Sequence, residues 1–296
     1  MIRTILIPLD GTPRAERALQ CAGCLAERFG AEVILLHVLE ESPAPRVHGE
    51  PHLVDAEEAE RYLDQAAARF IPARVPFRTH VHLERTRHVA ASIAVHDQEF
   101  ACDLIVISPH GPAGWRSWME GNIPQRIARK IETPVLIVGD AVCRGSCLFQ
   151  NILVPDDATP AHEGDWDVCT ELARACGASL RLISAVETPD TLGGVGAASA
   201  TFLPRSTELV LELAGQEAAK HLEHHVAQLG QAGLAATMQI SRGNPFDVIC
   251  AALNEGRTDL LVLRTHRRAG LEAWFSGSLT ARLLREVRTS VLLIPL

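Results

Sequence analysis

Thr4–Asp10 reads TILIPLD, and Asn151–Asp157 reads NILVPDD. Each is a short continuous apolar run closed by Pro and Asp, as expected of a strand buried on both faces of a parallel sheet. The likeness extends along the chain. Gly30–Glu40 (GAEVILLHVLE) returns as Gly177–Glu187 (GASLRLISAVE), also 147 positions on. Asp103–Ser108 (DLIVIS) matches Asp259–Arg264 (DLLVLR), and Thr133–Val138 (TPVLIV) matches Thr289–Ile294 (TSVLLI), both 156 positions on. The chain therefore reads as two copies of one domain, 1–142 and 151–296, joined by a short linker, 143–150. The second copy carries 156 − 147 = 9 extra residues between Glu187 and Asp259.

Within the first copy, Thr12-Pro13 reads as a helix cap with Pro at the first helical position. Ala15, Ala18, Leu19, Ala22, Leu25 and Ala26 then recur at helical spacing until Gly30. Val33–Val38 is the second strand, Asp55–Phe70 a helix, Phe77–Leu83 the third strand, Val89–Gln98 a helix and Leu104–Ile107 the fourth strand. Ile123–Lys130 reads as a helix and Val135–Val138 as the fifth strand. The second copy repeats the order through Ile152–Val154, Asp165–Cys176, Leu180–Ala185, Glu208–Leu229, Ala235–Ile240, Pro245–Asn254, Leu260–Leu263, Leu279–Val287 and Val291–Ile294. Strands alternating with helices at this spacing predict two tandem, open, five-stranded parallel sheets with helices on both faces, a Rossmann-like α/β fold. The extra residues fall in Thr191–Ala200 (TLGGVGAASA), whose Gly, Ala and Ser content suits a mobile flap. The last strand of each copy, Val135–Val138 and Val291–Ile294, is short, apolar and at a sheet edge, which is a liability unless it is paired.

With 296 residues, each copy can bury its own core. A net charge of −8, from 28 Lys and Arg against 36 Asp and Glu, argues against a nucleic-acid or anionic-membrane partner. No run reaches the roughly 20 apolar residues of a membrane span, and Asp10 interrupts the first apolar stretch, so neither a span nor a signal peptide is expected. A cytoplasmic protein with mostly reduced thiols follows, despite eight cysteines.

In open parallel sheets, ligands bind beyond the carboxyl ends of the strands, where the strand order reverses. Those ends carry Pro8, Leu9, Asp10 and Val38 in the first copy, with the loop Ser108–Asn122 (SPHGPAGWRSWMEGN). The second copy places Pro155, Asp156, Asp157 and Ala185 there, with Arg264–Ser278 (RTHRRAGLEAWFSGS). His110 and His266, Trp118 and Trp274, and Gly121 and Gly277 are kept in both. A Gly followed by Asn122 or Ser278 at a helix start, with Ile123 next in the first copy, can serve as an anion site or merely as a capped helix.

These residues, ILIPLDGT with ILVPDDAT, and DLIVIS and DLLVLR with their glycine loops before PVLIV and SVLLI, resemble the universal stress protein family over nearly all of both halves. The resemblance implies an adenine-nucleotide alpha hydrolase-like fold and, in ATP-binding members, a G-2x-G-9x-G-(S/T) loop. Laid on that loop, the first copy supplies Ser108, Gly111, Gly121 and Asn122; the second supplies Arg264, Arg267, Gly277 and Ser278. Ser108 and Asn122 weaken the first site, whereas Arg264 and Arg267 put long cations where glycines would admit a ligand, and these either close the pocket or meet a phosphate by side chain. ATP is therefore expected in the first copy in preference to the second. The resemblance implies a non-enzymatic stress-response regulator with degenerate nucleotide loops, whose two domains associate through their last strands as an intrachain pseudo-dimer, with a homodimer as the further assembly open to it. An ATP-binding switch or slow ATP hydrolase in the first copy, with His110 beside the phosphates, is one alternative, and a ligand-free scaffold is another.

No GxSxG, P-loop, HExxH or SGGxDS motif is present, so no catalytic residue is assigned. Cys21 and Cys24 have redox spacing but lie mid-helix without counterparts in the second copy, and read as core thiols. Cys143 and Cys147 read as reduced thiols of the linker. His221 and His225 lie four apart beside His224, but with no third ligand evident they read as a solvated helix face, and no metal is assigned.

Overall fold

The structure, a computed structural model, describes residues 1–43, 46–47, 50–108, 131–139, 149–157, 166–255, 257–265 and 279–295. They belong to two compact units. The first comprises Met1–Leu148, Leu263–Ser276 and Leu284–Leu296; the second comprises Phe149–Val262 and Gly277–Leu283.

The first unit is built outward from β1 (Thr4–Pro8), whose Ile5, Leu6 and Ile7 are wholly buried. It pairs in parallel with β2 (Glu32–Glu40) on one side and β6 (Leu104–Ile107) on the other, with Ile5 opposite Val33 and Leu104. Burial on both faces explains why β1, β2 and β6 read as unbroken apolar runs. The Asp103 carboxylate fixes the β1–β6 step: its Oδ2 accepts from the N–H of Arg3 at 2.7 Å and of Thr4 at 3.0 Å. The sheet continues through β5 (Phe77–Thr86) beyond β2 and β7 (Val135–Ile137) beyond β6. A small hairpin, β3 (Arg46–Val47) with β4 (Glu50–Pro51), follows β2 and had no sequence signature.

Helix α1 (Arg17–Phe29) starts later than its sequence suggests. Thr12 does cap, its Oγ1 accepting from Ala15 N at 3.3 Å, but Pro13–Glu16 form a turn before regular helix begins. Gly30 ends it at φ 66°, the left-handed stop that glycine adopts without strain, and Gly177 repeats this at φ 64°. The Cys21 thiol is buried on the core face and Cys24 is half-buried, in keeping with thiols of the helix packing. Helix α2 (Ala56–Phe70), capped by Asp55 accepting from Glu58 N, packs on α1, β2 and β5; α3 (Val89–Glu99) packs on β2 and β5.

The edge of β7 is closed within this unit by β12 (Ser290–Pro295), which runs antiparallel to it. Val291 faces Ile137, Leu292 faces Leu136, and Leu293 faces Val135. The pair tightens at Gly139, whose N–H donates to Ser290 Oγ at 2.9 Å. A Cβ on Gly139 would lie 2.4 Å from the Arg288 carbonyl oxygen and 2.8 Å from Ser290 N.

The second unit repeats the plan. β8 (Asn151–Pro155) lies between β9 (Ser179–Val186) and β11 (Leu260–Thr265), with β10 (Ala236–Arg242) outside β9. Asp259 repeats the Asp103 clamp, accepting from Gln150 N at 2.8 Å and Asn151 N at 2.9 Å. Helix α4 (Asp167–Cys176) follows β8. The expected flap is instead partly helical: α5 (Val195–Phe202) and the 28-residue α6 (Pro204–Gln231) follow a turn at Thr188–Thr191. Thr191 Oγ1 accepts from Thr188 N at 2.7 Å, Gly194 takes φ 54°, and the alanines after it favour helix once the glycines have turned the chain. α7 (Pro245–Glu255) and α8 (Leu279–Glu286) complete the described elements. Among the described residues no helix is long and apolar enough to cross a membrane.

Two measurements test this packing. Gly139→Ala should lower unfolding free energy by about 1–3 kcal/mol, the usual cost of overpacking, in a denaturant titration; an unchanged midpoint contradicts the close β7–β12 approach. Asp97 is the second case: its Oδ2 accepts from Thr133 Oγ1 at 2.9 Å, and burial pushes its carboxyl up to about 6. The folded state thus holds more protons than the unfolded chain between about pH 4, the free Asp range, and about pH 6. Stability contributed by the protonated group is present at the acid end and is lost as pH rises through that window. Asp97→Asn should remove this loss, so the variant should gain on the parent between pH 4 and pH 7; a constant difference contradicts it.

Candidate functional site

Strand order reverses beside β1 in the first unit and beside β8 in the second, so the carboxyl ends of these strands are where a ligand crevice forms. In the first unit the structure brings Pro8, Leu9 and Asp10 at the end of β1 together with Val38 of β2 and Ser108 after β6. Leu9 N donates to the Leu36 carbonyl at 2.8 Å, carrying the pairing one residue past Pro8. Asp10 Oδ1 accepts from Thr12 N at 3.0 Å and from Thr12 Oγ1 at 2.7 Å, an Asx turn that fixes the loop. Gly11 stands at φ 86°, and a Cβ there would lie 2.8 Å from Leu53 Cδ1. Leu53 follows the β3–β4 hairpin and covers this loop. Leu9, Val38 and Ser108 are buried, and Thr12 is 1% exposed.

Below the loop is His37, which the strand pattern hid among apolar residues. Its Nδ1–H donates to the Leu9 carbonyl at 2.7 Å, and its Nε2 is buried without a hydrogen-bond partner. Burial pushes its pKa down, against the opposing pull of the Leu9 carbonyl, so the ring is neutral at pH 7. His52, also buried, lies 3.8 Å from Glu40 Oε1. On α2, burial raises the Tyr62 phenol, reinforced by the charges of Glu16 and Asp10. Burial likewise raises the Glu16 carboxyl, against the attraction of Arg69. His110, Gly111, Gly121, Asn122 and Ile123 lie outside the described residues.

The second copy differs at the matching positions. Pro155 and Ala185 are half-buried at the ends of β8 and β9, Asp157 is exposed after β8, and Arg264 is half-buried near the end of β11. Arg267, Gly277 and Ser278, like His266, Trp118, Trp274, Cys143 and Cys147, lie outside the described residues. Asp156, between Pro155 and Asp157, is the strand-end residue whose partners its sequence position does not show. Its backbone N–H donates to the Ile183 carbonyl at 2.8 Å, as Leu9 does to Leu36, so Asp156 takes the place of Leu9.

Two histidines of α6 meet it. His221 Nε2 lies 3.7 Å from Asp156 Oδ1, and His225 Nε2 lies 3.0 Å from His221 Nε2. The Trp166 ring stands 5.1 Å from that of His225. The Asp156 and His221 side chains are 1% and 15% exposed, and His225 is 4% exposed. Of the three histidines read as a solvated face, only His224 is exposed. The buried pairs Ala59 and Ala218, and Leu63 and Leu222, put α2 and α6 in register at an offset of 159, so His221 matches Tyr62 and His225 matches Ala66. Neither sequence offset, 147 or 156, would have shown this. A cleft of about 360 Å³, lined by Ser179, Arg181, Thr237 and Arg257, lies at the opposite, amino ends of β8 to β10.

The universal stress protein family model matches residues 1–139 and 148–295. The chain is 30% identical over 139 residues to a universal stress protein of Synechocystis, covering 47% of this chain and 86% of that protein. It is 32% identical over 143 residues to one of Thermus aquaticus, covering 47% and 99%. Over 99% of its length it superposes on a universal stress protein of Archaeoglobus fulgidus, with a TM-score of 0.67 at 15% identity and 96% of that chain covered. A putative universal stress protein of Pseudomonas aeruginosa gives 0.65 at 18% identity, covering 99% and 93%. Since the family model spans both repeats, the chain belongs to the universal stress protein family, with two such domains in tandem.

Proposed function

We propose that this chain is a non-enzymatic, cytoplasmic stress-response regulator whose first copy admits an adenine nucleotide when the Leu53 cover lifts. The division that matters for function follows the repeat: 1–142 as the ligand-responsive domain, 143–150 as linker, and 151–296 as its diverged partner. The antiparallel pairing of Val135–Ile137 with Val291–Leu293 supports the use of these edges within the chain, as in an intrachain pseudo-dimer.

The observation that carries this reading is how the first strand end uses its polar groups. Asp10 is occupied by Thr12, and His37 is neutral and bonded to the Leu9 carbonyl, so both hold the loop. Neither is aimed at a reacting group as a general base must be. Gly11, lacking a side chain, lets a ligand approach the backbone, but Leu53 occupies that approach. Affinity is then reduced by the small fraction of molecules in which the cover is open, which makes the site responsive to whatever moves Leu53.

Calorimetric titration of ATP into the full chain tests this. One site per chain is expected, weakened at least tenfold by Asp10→Asn, unchanged by Asp157→Asn, and strengthened by Leu53→Ala. Loss of binding in Asp157→Asn with none in Asp10→Asn would assign the nucleotide to the second copy. Phosphate release by the parent that disappears in His110→Ala would replace the regulator with a slow hydrolase.

A further inference from the structure

We propose that Asp156, His221 and His225 form a binding site for a single divalent transition-metal ion of the zinc class. One ligand atom from each lies within 4.8 Å of the others. A tetrahedral ion with bonds of about 2.0–2.2 Å to nitrogen and oxygen needs neighbouring ligand atoms about 3.3–3.5 Å apart. The observed 3.0 Å between the two Nε2 atoms and 3.7 Å from His221 Nε2 to Asp156 Oδ1 bracket that spacing. The third separation, between the Asp156 carboxylate and His225, is within 4.8 Å, so closing a ligand sphere requires side-chain rotations that draw these two groups together.

The elements that carry the ligands are rigid. His221 and His225 are four apart, on one face of the long helix α6, the spacing that lets two imidazoles share an ion. Asp156 is fixed at the end of β8 by its N–H bond to the Ile183 carbonyl. The chemistry favours a cation: a carboxylate side chain 1% exposed and two imidazoles beside it set three donor atoms toward one point. A divalent ion is ligated by all three groups. Two imidazoles and one carboxylate are borderline donors, which favour zinc, cobalt or nickel over magnesium or calcium. Three protein ligands leave one position open, and the Trp166 ring beside His225 shields the far side of that ligand from water.

The first copy provides an internal comparison. At the three corresponding positions it has Leu9, Tyr62 and Ala66, which cannot make such a site. The stoichiometry is therefore one ion per chain. The proposal is independent of the nucleotide reading, because no ligand residue belongs to the loop that holds Asp10 and Gly11.

The experiment uses the full chain, stripped with a chelator and titrated with Co(II), then with Zn(II) in competition. The expected result is one equivalent of Co(II) with the strong visible absorption of a four-coordinate nitrogen and oxygen site, displaced by one equivalent of Zn(II). A rise in melting temperature should accompany either ion. His221→Ala and Asp156→Asn should each weaken binding at least tenfold, whereas His224→Ala, at the exposed neighbour, should leave it unchanged. If a variant unfolds, the cobalt spectrum of the parent chain still decides. A thiolate-to-cobalt charge-transfer band assigns the ion to cysteine and overturns the proposal. So does an octahedral spectrum, a stoichiometry of zero, or equal loss of affinity in His224→Ala.

Discussion

The bond on which both halves depend is that of one aspartate to the backbone ahead of the central strand. Asp103 accepts from Arg3 and Thr4, and Asp259 accepts from Gln150 and Asn151, each through a single oxygen with bonds of 2.7–3.0 Å. These strands lie on the two sides of the point where strand order reverses, so their connection cannot be a short hairpin and their register has no turn to set it. Two charge-assisted bonds to backbone N–H groups supply that register. From it follow the opposition of Ile5 to Leu104 and of Ile152 to Leu260, and hence the alignment of the strand ends where Leu9, Ser108 and Asp156 stand.

With register fixed at the amino ends, the carboxyl ends are free to diverge. A one-residue slip would turn each inward side chain outward, so substitutions at the strand ends act on a frame that does not move. This explains how Leu9 and Asp156 make the same backbone bond, to Leu36 and to Ile183, while their side chains have opposite characters. It also explains why the loop glycines of the two copies can differ while the family resemblance survives.

The strands were legible in the sequence because burial on both faces demands unbroken apolar runs, and Leu104–Ile107 falls where it was expected. The helix stops at Gly30 and Gly177 were equally plain, since a left-handed residue after an apolar periodicity has one common occupant. Less legible was the start of α1, where Pro13 suits both a first helical turn and the isolated turn that forms. The Gly-rich stretch after Glu187 misled for the opposite reason: Gly193 and Gly194 signal a break, but the alanines that follow are strong helix formers. The positions of Pro8, Asp10 and Val38 toward the carboxyl ends of their strands could be read from topology alone. His37 could not, because a histidine inside an apolar strand gives no sign that it will bond a carbonyl across the sheet. The Asp156 cluster escaped because its three members come from two elements whose repeats run at different offsets, 147 for the strand and 159 for the helix.

The same comparison shows why the cluster arose as a set. In the first copy the buried imidazole is on the strand, at His37, and the helix presents Tyr62 and Ala66; in the second the strand position holds Ser184, and the imidazoles have moved to the helix as His221 and His225. An aspartate introduced at the place of Leu9 with the first copy's helix opposite it would face a phenol and a methyl group. The phenol O–H can donate one hydrogen bond to that carboxylate, but the methyl group offers nothing, and no second donor atom for an ion is present. Two histidines without the aspartate would keep the 3.0 Å approach of their Nε2 atoms and lose the carboxylate oxygen 3.7 Å from His221. Only with all three replacements, Leu9 to Asp156, Tyr62 to His221 and Ala66 to His225, are three donor atoms brought to one point.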